Sequence, residues 1–464
     1  MTVRKTTAAA TRAIVGQPFM MGLLLTAGVS AGAAAEPTSA AADPTVEALL
    51  QRIEALEQRL QELEAQQQSP PSSQRREPHW RVVEEDLTPG TDTASALLVE
   101  GQAVPGSERA PAETDEPADL DIHIGGALRY NLVHRGGSSD SRDKRGETGL
   151  DVFRLNIDGQ IDSILISAEY RYYSYMDTLH HGWLGYEFEN GSQLQMGIHQ
   201  VPFGLLPYAA HNAWFGVPYY TGFADNYDMG LKYIHSSGPW NLHLAFYKNE
   251  ELNNPFSSDR YAYDLIREGD QQNEEINRLN TRLAYTLGQG TTCENEVGLS
   301  VQAAQVYNAG TRRRGDHRAG AVHLDSHCGR WNFQLQGIHY EYDLANPAGI
   351  DRRLVRVGAF ADTFDIPARA SILTANVAYN FEPFWEWMDT FTCYNNYSQL
   401  FKSLDDSRDS KINTLGCSIG VGPLFTYVDY ILGNNMIYFG DGSLARGGED
   451  RWRHRLNVNV GFYW

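Results

Sequence analysis

The feature that most constrains the fold of this chain is an alternation of apolar and polar side chains with a period of two residues. In the segment 152–162, Phe153 and Leu155 occupy one face of the chain, whereas Arg154 and Asn156 occupy the other. Successive side chains of a β-strand point to opposite faces, so this period indicates strands that have one apolar and one polar face. The alternation returns in many segments from residue 122 to the C-terminus.

The alternating segments are long, and their length separates two all-β architectures. The runs at 278–287 and 455–464 each reach about ten residues, whereas strands in globular proteins usually have about five or six. A tilted strand needs about nine to eleven residues to cross a bilayer. In lipid the sheet must also close, because an open edge would leave backbone groups without partners. The pattern predicts an all-β, antiparallel transmembrane barrel with its apolar face outside.

The connections between these segments alternate in length, which is typical of outer-membrane barrels with short turns on one side and long loops on the other. Tight turns such as Asn190-Gly191 alternate with long polar segments such as 200–226 and 343–370. The connection 177–180 is short but falls on the long-loop side. The sequence thus predicts sixteen strands, at about 122–134, 151–161, 164–176, 181–189, 192–199, 227–236, 239–249, 276–287, 296–307, 317–327, 330–342, 371–381, 387–400, 411–421, 423–433 and 451–464.

One segment of this strand count is ambiguous. Residues 354–364 are compatible with a further strand, which would make the number odd. Bacterial single-chain barrels have an even number of strands. Residues 354–364 are therefore assigned to a loop.

The N-terminal region carries three other patterns. Residues 1–35 are predicted to be a signal peptide, because a basic start is followed by an apolar run and three consecutive alanines. The alternative, an uncleaved anchor, requires a longer apolar run. Residues 36–68 carry a heptad spacing from Val46 to Leu63 that predicts a short coiled coil, with a lone amphipathic helix as the alternative. Residues 69–121 are predicted to be an acidic, flexible linker.

Charge and the lack of familiar motifs exclude several classes of function. The net charge of −20 argues against a nucleic-acid-binding protein, which would present a basic surface. Residues 36–121 hold 19 acidic and 6 basic residues, so much of the acidity lies outside the predicted barrel. His180 and His181 are adjacent, but we interpret them as wall or loop histidines. We expect no cofactor, no bound metal and no catalytic residue.

A short motif in the middle of the chain points to a known family. The segment 197–204, Gly-Ile-His-Gln-Val-Pro-Phe-Gly, is followed by a stretch rich in Tyr and Trp and by Tyr-Asp-Met-Gly-Leu-Lys-Tyr at 227–233. With the signal peptide, coiled coil and sixteen strands, this resembles the phosphate-selective porin O and P family of bacterial outer membranes. The resemblance covers most of 122–464. It implies a homotrimeric passive channel whose third long loop folds inward.

The composition of the loop 200–226 supports an inward position independently. This loop is rich in aromatic and aliphatic residues, and so much apolar surface needs something to pack against. The nearest surface is the barrel wall, and the alternative is a contact between subunits. The candidate constriction residues are Phe203, His211, Trp214, Tyr219, Tyr220 and Asp225.

Charged residues on the polar strand faces are the candidates for lining a pore. Arginines in a pore attract anions, but they also pair with carboxylates, and we expect the paired, structural role to prevail. The loop 200–226 contains neither Lys nor Arg, and the barrel region has only five Lys. The family's phosphate preference is therefore not carried over. The candidate pore-lining residues are Arg154, Asp158, Glu169, Arg171, Arg278, Arg282, Arg453 and Arg455.

The cysteines and the C-terminus bear on how the barrel is held and assembled. Export reaches an oxidising compartment, and hairpin registers can bring Cys293 opposite Cys328 and Cys393 opposite Cys417. Two disulfides and four free thiols are both compatible with the sequence, which does not determine register to one residue. The chain ends in Phe-Tyr-Trp, and we expect the barrel assembly machinery to recognise this strand.

These patterns predict a porin, which is a non-enzymatic diffusion channel for small hydrophilic solutes. It would lie in the bacterial outer membrane, surrounded by lipid and lipopolysaccharide, with the coiled coil in the periplasm. Small anions, including phosphate, are the first class of permeant, and a general or sugar-accepting porin is the alternative. A remote alternative is a barrel enzyme, which needs Ser, His and an orienting polar side chain on one face.

Overall fold

The computed structural model describes residues 120–464, and these form a closed barrel of sixteen antiparallel strands. The predicted barrel is confirmed, whereas the predicted signal peptide and coiled coil lie outside the described residues. The barrel strands are β1 (Leu120–Arg135), β2 (Glu147–Ile161), β3 (Ile164–Tyr172), β4 (Asp177–Glu187), β5 (Gln193–Gln200), β6 (Tyr227–Ser237), β7 (Trp240–Glu250), β9 (Asn273–Leu287), β10 (Cys293–Asn308), β11 (Arg313–Cys328), β12 (Trp331–Asp343), β15 (Arg369–Phe381), β16 (Thr390–Lys402), β17 (Ser410–Val421), β18 (Leu424–Asn434) and β19 (Trp452–Tyr463).

The remaining elements are short and lie in the connections. They are the strands β8 (Asp264–Leu265), β13 (Leu354–Ala359) and β14 (Asp362–Pro367) and the helices α1 (Ser139–Lys144) and α2 (Val217–Tyr220). No helix in the described part of the chain is both long enough and apolar enough to cross a membrane. Most of the described residues in regular structure thus belong to the sixteen barrel strands.

The barrel closes where the first strand meets the last. β1 pairs antiparallel with β19 from Ala127 opposite Tyr463 to Arg135 opposite Arg455. The backbone N–H of Gly126 also donates to the carbonyl of Trp464 at 2.9 Å. Every barrel strand thus has two paired neighbours, so no row of N–H and C=O groups is left at an open edge.

The two faces of the wall separate by polarity as the alternation predicts. In β2, Leu155 is 39% exposed on the outside, whereas Arg154 and Asn156 are each 7% exposed on the inside. The outward residues form a belt of Leu, Ile, Val, Phe and Trp that recurs on strand after strand. Such a continuous apolar exterior requires hydrocarbon rather than water around it.

The ambiguous segment near residue 354 folds into strands that lie outside the barrel. β13 and β14 form a hairpin, and β13 also pairs with β8 through Val357 and Leu265. This three-stranded sheet lies within the long connections. The assignment to a loop was right about the barrel count, but the segment has strand structure because it pairs with a neighbouring loop rather than with the wall.

The short connection on the long-loop side is displaced from its predicted position. The structure places residues 177–180 in β4, and the chain turns at 173–176 instead. A register shift between Glu169 and Tyr170 accompanies this pairing. The extra residue of such a bulge moves the end of the hairpin without changing the number of strands.

The main apolar core lies inside the barrel, between the inner wall and the long loops. Its members come from the connections 201–226, 251–272, 344–368 and 435–451 as well as from inward-facing wall residues. Phe203 and Phe223 pack together with ring centroids 5.5 Å apart. Truncating a buried Phe to Ala typically costs about 3–5 kcal/mol, so this packing is a substantial part of what holds the loops in place.

The four cysteines face each other across two antiparallel strand pairs. The register places Cys293 opposite Cys328 and Cys393 opposite Cys417. The structure joins each of these pairs by a disulfide bond. A slip of one residue in either register would turn the two side chains to opposite faces, so the bridges report the strand registers directly.

The first prediction concerns these thiols. Protein unfolded in denaturant without reductant should contain no free thiol, because all four cysteines are joined in two disulfides. After reduction it should contain four. The measurement is a thiol count with a chromogenic reagent. The double variant Cys393→Ser with Cys417→Ser is the control, and it should gain two thiols only after reduction. Four reactive thiols before reduction would contradict the bridged registers.

Candidate pore and constriction loop

The loop 201–226 crosses the interior of the barrel from one wall to the opposite wall. It leaves from β5, and β16 lies eight places away in the ring of sixteen strands. The backbone N–H of Val217, in this loop, donates to Ser398 Oγ of β16 at 2.8 Å. The predicted inward position of the loop agrees with these contacts.

Further hydrogen bonds hold the loop along its path. The backbone N–H of Leu205 donates to Gln336 Oε1 of β12 at 2.6 Å, and that of His211 donates to Asn396 Oδ1 of β16 at 2.8 Å. Asn376 Nδ2 of β15 donates to the carbonyl oxygen of Ala209 at 2.9 Å. The polar wall residues thus satisfy loop backbone groups that water would otherwise have to satisfy.

Gly204 is required where the loop approaches the wall. Its φ is +66°, in the region that favours glycine. A Cβ at this position would lie 2.1 Å from Gln336 Oε1. Its carbonyl oxygen accepts a hydrogen bond from Arg282 Nε at 2.8 Å, so the close approach also positions one of the predicted wall arginines.

The aromatic residues of the loop pack against one another and against residues from other connections. Tyr219 contacts Tyr263 with ring centroids 5.4 Å apart and stacks on Phe215 at 4.4 Å. Trp214 instead faces the wall, where the Arg455 guanidinium lies 4.2 Å from its ring centroid. Phe203, Tyr219 and Tyr220 are buried, whereas His211 and Trp214 are half-buried.

Asp225 is a buried acid near the end of the loop. Its Oδ2 accepts a hydrogen bond from the hydroxyl of Tyr261, and its Oδ1 accepts one from Gln200 Nε2 at 3.3 Å. Burial raises the pKa of Asp225 to about 6, although the Tyr261 hydrogen bond and the Arg171 guanidinium oppose this shift. The carboxyl group therefore changes charge in mildly acidic solution.

Several of the predicted wall arginines form ion pairs. Glu169, which is fully buried, receives a hydrogen bond from Arg171 Nε and lies 3.6 Å from Arg154 Nε. The Arg282 Nη2 atom lies 2.5 Å from Glu296 Oε1. These guanidiniums are balanced by carboxylates on neighbouring strand positions, which weakens the field that they present to a passing ion.

The other predicted wall residues have different surroundings. Arg278 pairs with Asp228 and with Glu275, whose Oε1 lies 2.9 Å from Arg278 Nη1. Arg453 is half-buried and its Nη2 lies 2.5 Å from Glu449 Oε1. Each of these arginines thus lies beside a carboxylate near the long-loop end.

Asp158 and Arg455 have no such salt bridge in the described part of the chain. The Asp158 Oδ1 atom accepts a hydrogen bond from Ser167 at 2.6 Å. Arg455 lies against the rings of Trp214 and Phe439 and donates to the carbonyl oxygen of Tyr438 at 3.3 Å. The positive potential around Arg455 is therefore less compensated than that around the paired arginines.

Sequence reasoning missed several partners of the predicted residues. The carboxylates of Asp228 and Glu296 lie on the polar faces of their strands, so the alternation alone could have placed them on the inner wall. Glu275 faces inward only because a register shift in β9 separates it from Arg278. No comparable sequence signal marks Tyr261 and Tyr263, which reach the constriction loop from the next long loop. Their contacts depend on how the loops fold over one another.

Glu169, His180 and His181 form a buried cluster whose candidate metal-ligand atoms all lie within 4.8 Å of one another. The two histidines lie in the wall, and their Nδ1 atoms are 2.9 Å apart. Arg154 and Arg171 already occupy the Glu169 carboxylate. Two guanidiniums outweigh this single carboxylate and oppose the binding of a cation there, so the geometry favours a structural role.

The same region contains a serine and a histidine in contact, which bears on the enzyme alternative. Ser167 Oγ lies 2.9 Å from His181 Nε2. The carboxylate of Asp158 contacts the serine rather than the histidine, and the other ring nitrogen of His181 faces His180. An acyl-transfer triad needs the acid on the far side of the histidine, which is not the arrangement around Ser167.

Comparisons with known proteins give structural similarity without sequence similarity. No protein-family model matches the chain, and no curated protein matches it. In-vitro folded OmpT, an outer membrane protein of Vibrio cholerae, is 12% identical and has a TM-score of 0.49, with 76% of this chain and 100% of that chain covered. An anion-selective porin from Comamonas acidovorans is also 12% identical, with a TM-score of 0.46 and coverages of 75% and 100%.

A third similar structure is the outer membrane channel DcaP of Acinetobacter baumannii. It is 10% identical, with a TM-score of 0.47, and 74% of this chain and 97% of that chain are covered. The predicted membership of the phosphate-selective family thus stays a prediction. At such low identities, the function has to be inferred from the residues of this chain.

The second prediction concerns the pH dependence of the loop. The pKa of Asp225 is about 6 in the folded protein and about 3.9 in an unfolded chain, so the folded state binds the proton more tightly. Stability should therefore fall as pH rises through this interval, by about 3 kcal/mol in total. Asp225→Asn should remove this component from unfolding midpoints measured in denaturant at about pH 4 and about pH 7.

The matched control is Asp441→Asn, which neutralises an exposed acid in another long loop. It should leave the pH dependence of the wild-type protein unchanged. If Asp225→Asn and the wild-type protein show parallel pH dependences, the buried acid does not contribute in the manner described.

Proposed function

We propose that this protein is a bacterial outer-membrane porin, a passive diffusion channel for small hydrophilic solutes. The observation that carries this proposal is a closed sixteen-strand cylinder with an apolar exterior and a polar inner wall, crossed by the loop 201–226. A barrel of this strand number is wide enough to enclose an aqueous path. A loop across that path restricts its width.

The proposed mechanism requires no cofactor and no chemical step. Solutes are selected by size at the loop 201–226 and by the charges that line the remaining space. The hydrogen bonds of the loop to Ser398 and Gln336 favour a fixed constriction rather than a freely moving one. Asp225 is enclosed by its own partners, so we assign it a structural role in the loop.

The ion preference is proposed to be weak. Glu169 neutralises part of the charge of Arg154 and Arg171, and Glu296 does the same for Arg282. This supports a general porin that also accepts sugars. A preference for small anions is the second candidate, supported by Arg455, whose described contacts are aromatic rings and a carbonyl group. Phosphate is the specific anion that the family resemblance suggests.

The surroundings of the channel are part of the same proposal. The apolar belt would contact the lipid of the outer membrane, and the long loops would contact lipopolysaccharide. We propose a homotrimer, with the N-terminal coiled coil in the periplasm adding to its stability. The paired C-terminal strand β19 would carry the signal for the barrel assembly machinery.

The third prediction tests the channel itself. Purified full-length protein in a planar bilayer should give discrete, steady current steps, because the constriction loop is fixed. Trp214→Ala should enlarge the steps, since it removes a half-buried ring from the interior. The matched control is Trp331→Ala, which removes a ring from the outer face and should leave the step size unchanged.

The absence of steady open steps in the wild-type protein would contradict the proposed channel. It would favour a sealed barrel or the barrel enzyme. Equal step sizes in Trp214→Ala and the wild-type protein would show instead that the loop does not set the width of the path.

The fourth prediction separates the two ion preferences. If Arg455 attracts anions, the reversal potential across a potassium chloride gradient should indicate anion preference, and Arg455→Gln should reduce it. The control is Arg318→Gln, whose side chain is exposed on the outside of β11. A wild-type channel without anion preference would favour the general porin over the anion-preferring one. Current that excess phosphate does not block would remove the phosphate variant.

A further inference from the structure

A group of buried carboxylates lies at the long-loop end of the barrel, where three elements meet. Asp228 belongs to β6, Glu251 follows β7 directly, and Asp264 belongs to β8. Each of these residues offers a carboxylate oxygen, and the three oxygens lie within 4.8 Å of one another. All three side chains are more than nine-tenths buried. The group brings two wall strands and a loop strand to one point.

A small cavity lies beside these carboxylates. Its volume is about 10 Å³, which is room for a single water-sized sphere. Asp228 and Asp264 line it together with Glu250 and Glu275, and Tyr247 and Asn249 complete its wall with Arg278, Leu265 and Ile276. Most of the polar atoms around this space are oxygens.

The carboxylates are only partly compensated by arginines. Five acids meet two guanidiniums here: Asp228, Glu250, Glu251, Asp264 and Glu275 against Arg260 and Arg278. The ring of His317 also contacts Glu275 through its Nδ1 atom. Burying unpaired carboxylates away from water costs several kcal/mol per group. A positive species in the cavity would remove this cost.

Asp264 is the least compensated of the three carboxylates, because it forms no salt bridge with the residues that the structure describes. Its Oδ1 accepts a long hydrogen bond of 3.3 Å from Asn226 Nδ2, while its Oδ2 accepts none from the residues that the structure describes. The nearest oxygens of the Asp264 and Glu251 carboxyl groups lie within 4.8 Å of each other. Two buried carboxylates this close are stabilised either by a shared proton or by a cation between them.

Two further oxygens lie near this position. Asn226 Oδ1 is buried and has no hydrogen-bond partner among the described residues, and its amide nitrogen contacts Asp264. Glu251 Oε2 likewise accepts no hydrogen bond, and it lies 3.7 Å from Arg260 Nη1.

We propose that Asp228, Glu251 and Asp264 bind a calcium ion that fastens the loop strand β8 to the rim of the barrel. Carboxylate and amide oxygens without sulfur or imidazole donors suit a hard cation. Calcium tolerates the irregular, oxygen-only surroundings, whereas magnesium demands near-ideal octahedral geometry and usually keeps several waters.

The ion would act on the shape of the channel mouth. β8 pairs with β13, so anchoring Asp264 also anchors the three-stranded sheet β8–β13–β14. The same loop carries Tyr261, which donates to Asp225 of the constriction loop. Calcium would thereby stabilise the packing of the long loops over the constriction. Such an ion would hold the rim whether or not the barrel conducts.

The experiment uses full-length protein refolded in detergent without lipopolysaccharide, with terbium as a luminescent probe for calcium sites. Tyr247 lines the cavity, so exciting tyrosine should give saturable terbium luminescence that calcium reverses. The double variant Glu251→Gln with Asp264→Asn should weaken terbium binding by more than roughly tenfold. The matched control Asp270→Asn removes an exposed acid from the same loop and should bind as the wild-type protein does.

A second measurement keeps the test independent of how well the variants fold. In the wild-type protein, calcium should slow proteolysis within 251–272 relative to a chelator, because the ion holds β8. A wild-type protein without saturable binding, or without this protection, overturns the proposal. Equal binding by the double variant and the Asp270→Asn control also overturns it, since the metal would then lie on other acids.

Discussion

The structure depends on the closure of one ladder of backbone hydrogen bonds between β1 and β19. In hydrocarbon an unpaired N–H or C=O group costs several kcal/mol, so a sheet of this kind is stable only as a complete ring. The pairing from Ala127 opposite Tyr463 to Arg135 opposite Arg455 completes it. Because the wall is rigid once closed, its inner face becomes a fixed scaffold on which the long loops fold.

A ring of sixteen strands encloses more space than its own side chains fill, and the loops occupy much of it. The loop 201–226 crosses to β16 and is held by wall amides and hydroxyls such as Gln336 and Ser398. The packing of several loops around Phe203 and Phe223 gives this interior an apolar core. A protein with a lipid-facing exterior thus has a second, loop-built core inside the polar wall.

Charge within the barrel is arranged largely in compensated groups. Glu169 serves two arginines at once, and its full burial makes the loss of any member costly. The carboxylates around Asp264 depart from this balance, because the acids there outnumber the arginines. The difference matters for function. The compensated group at Glu169 stabilises the wall, whereas the carboxylates around Asp264 are the group at which we propose a bound cation.

The sequence by itself determined the period and number of the barrel strands, because lipid outside and polar surroundings inside act on every second residue of each strand. It also placed residues such as Arg154, Arg282 and Arg455 on the inner face. It could not assign their partners, because contacts such as Arg282 with Gly204 or Arg455 with Trp214 join positions far apart in the chain. Those pairings, the disulfide registers and the carboxylate group at Asp264 were decided only by the tertiary structure, in which ring closure and loop packing bring distant segments together.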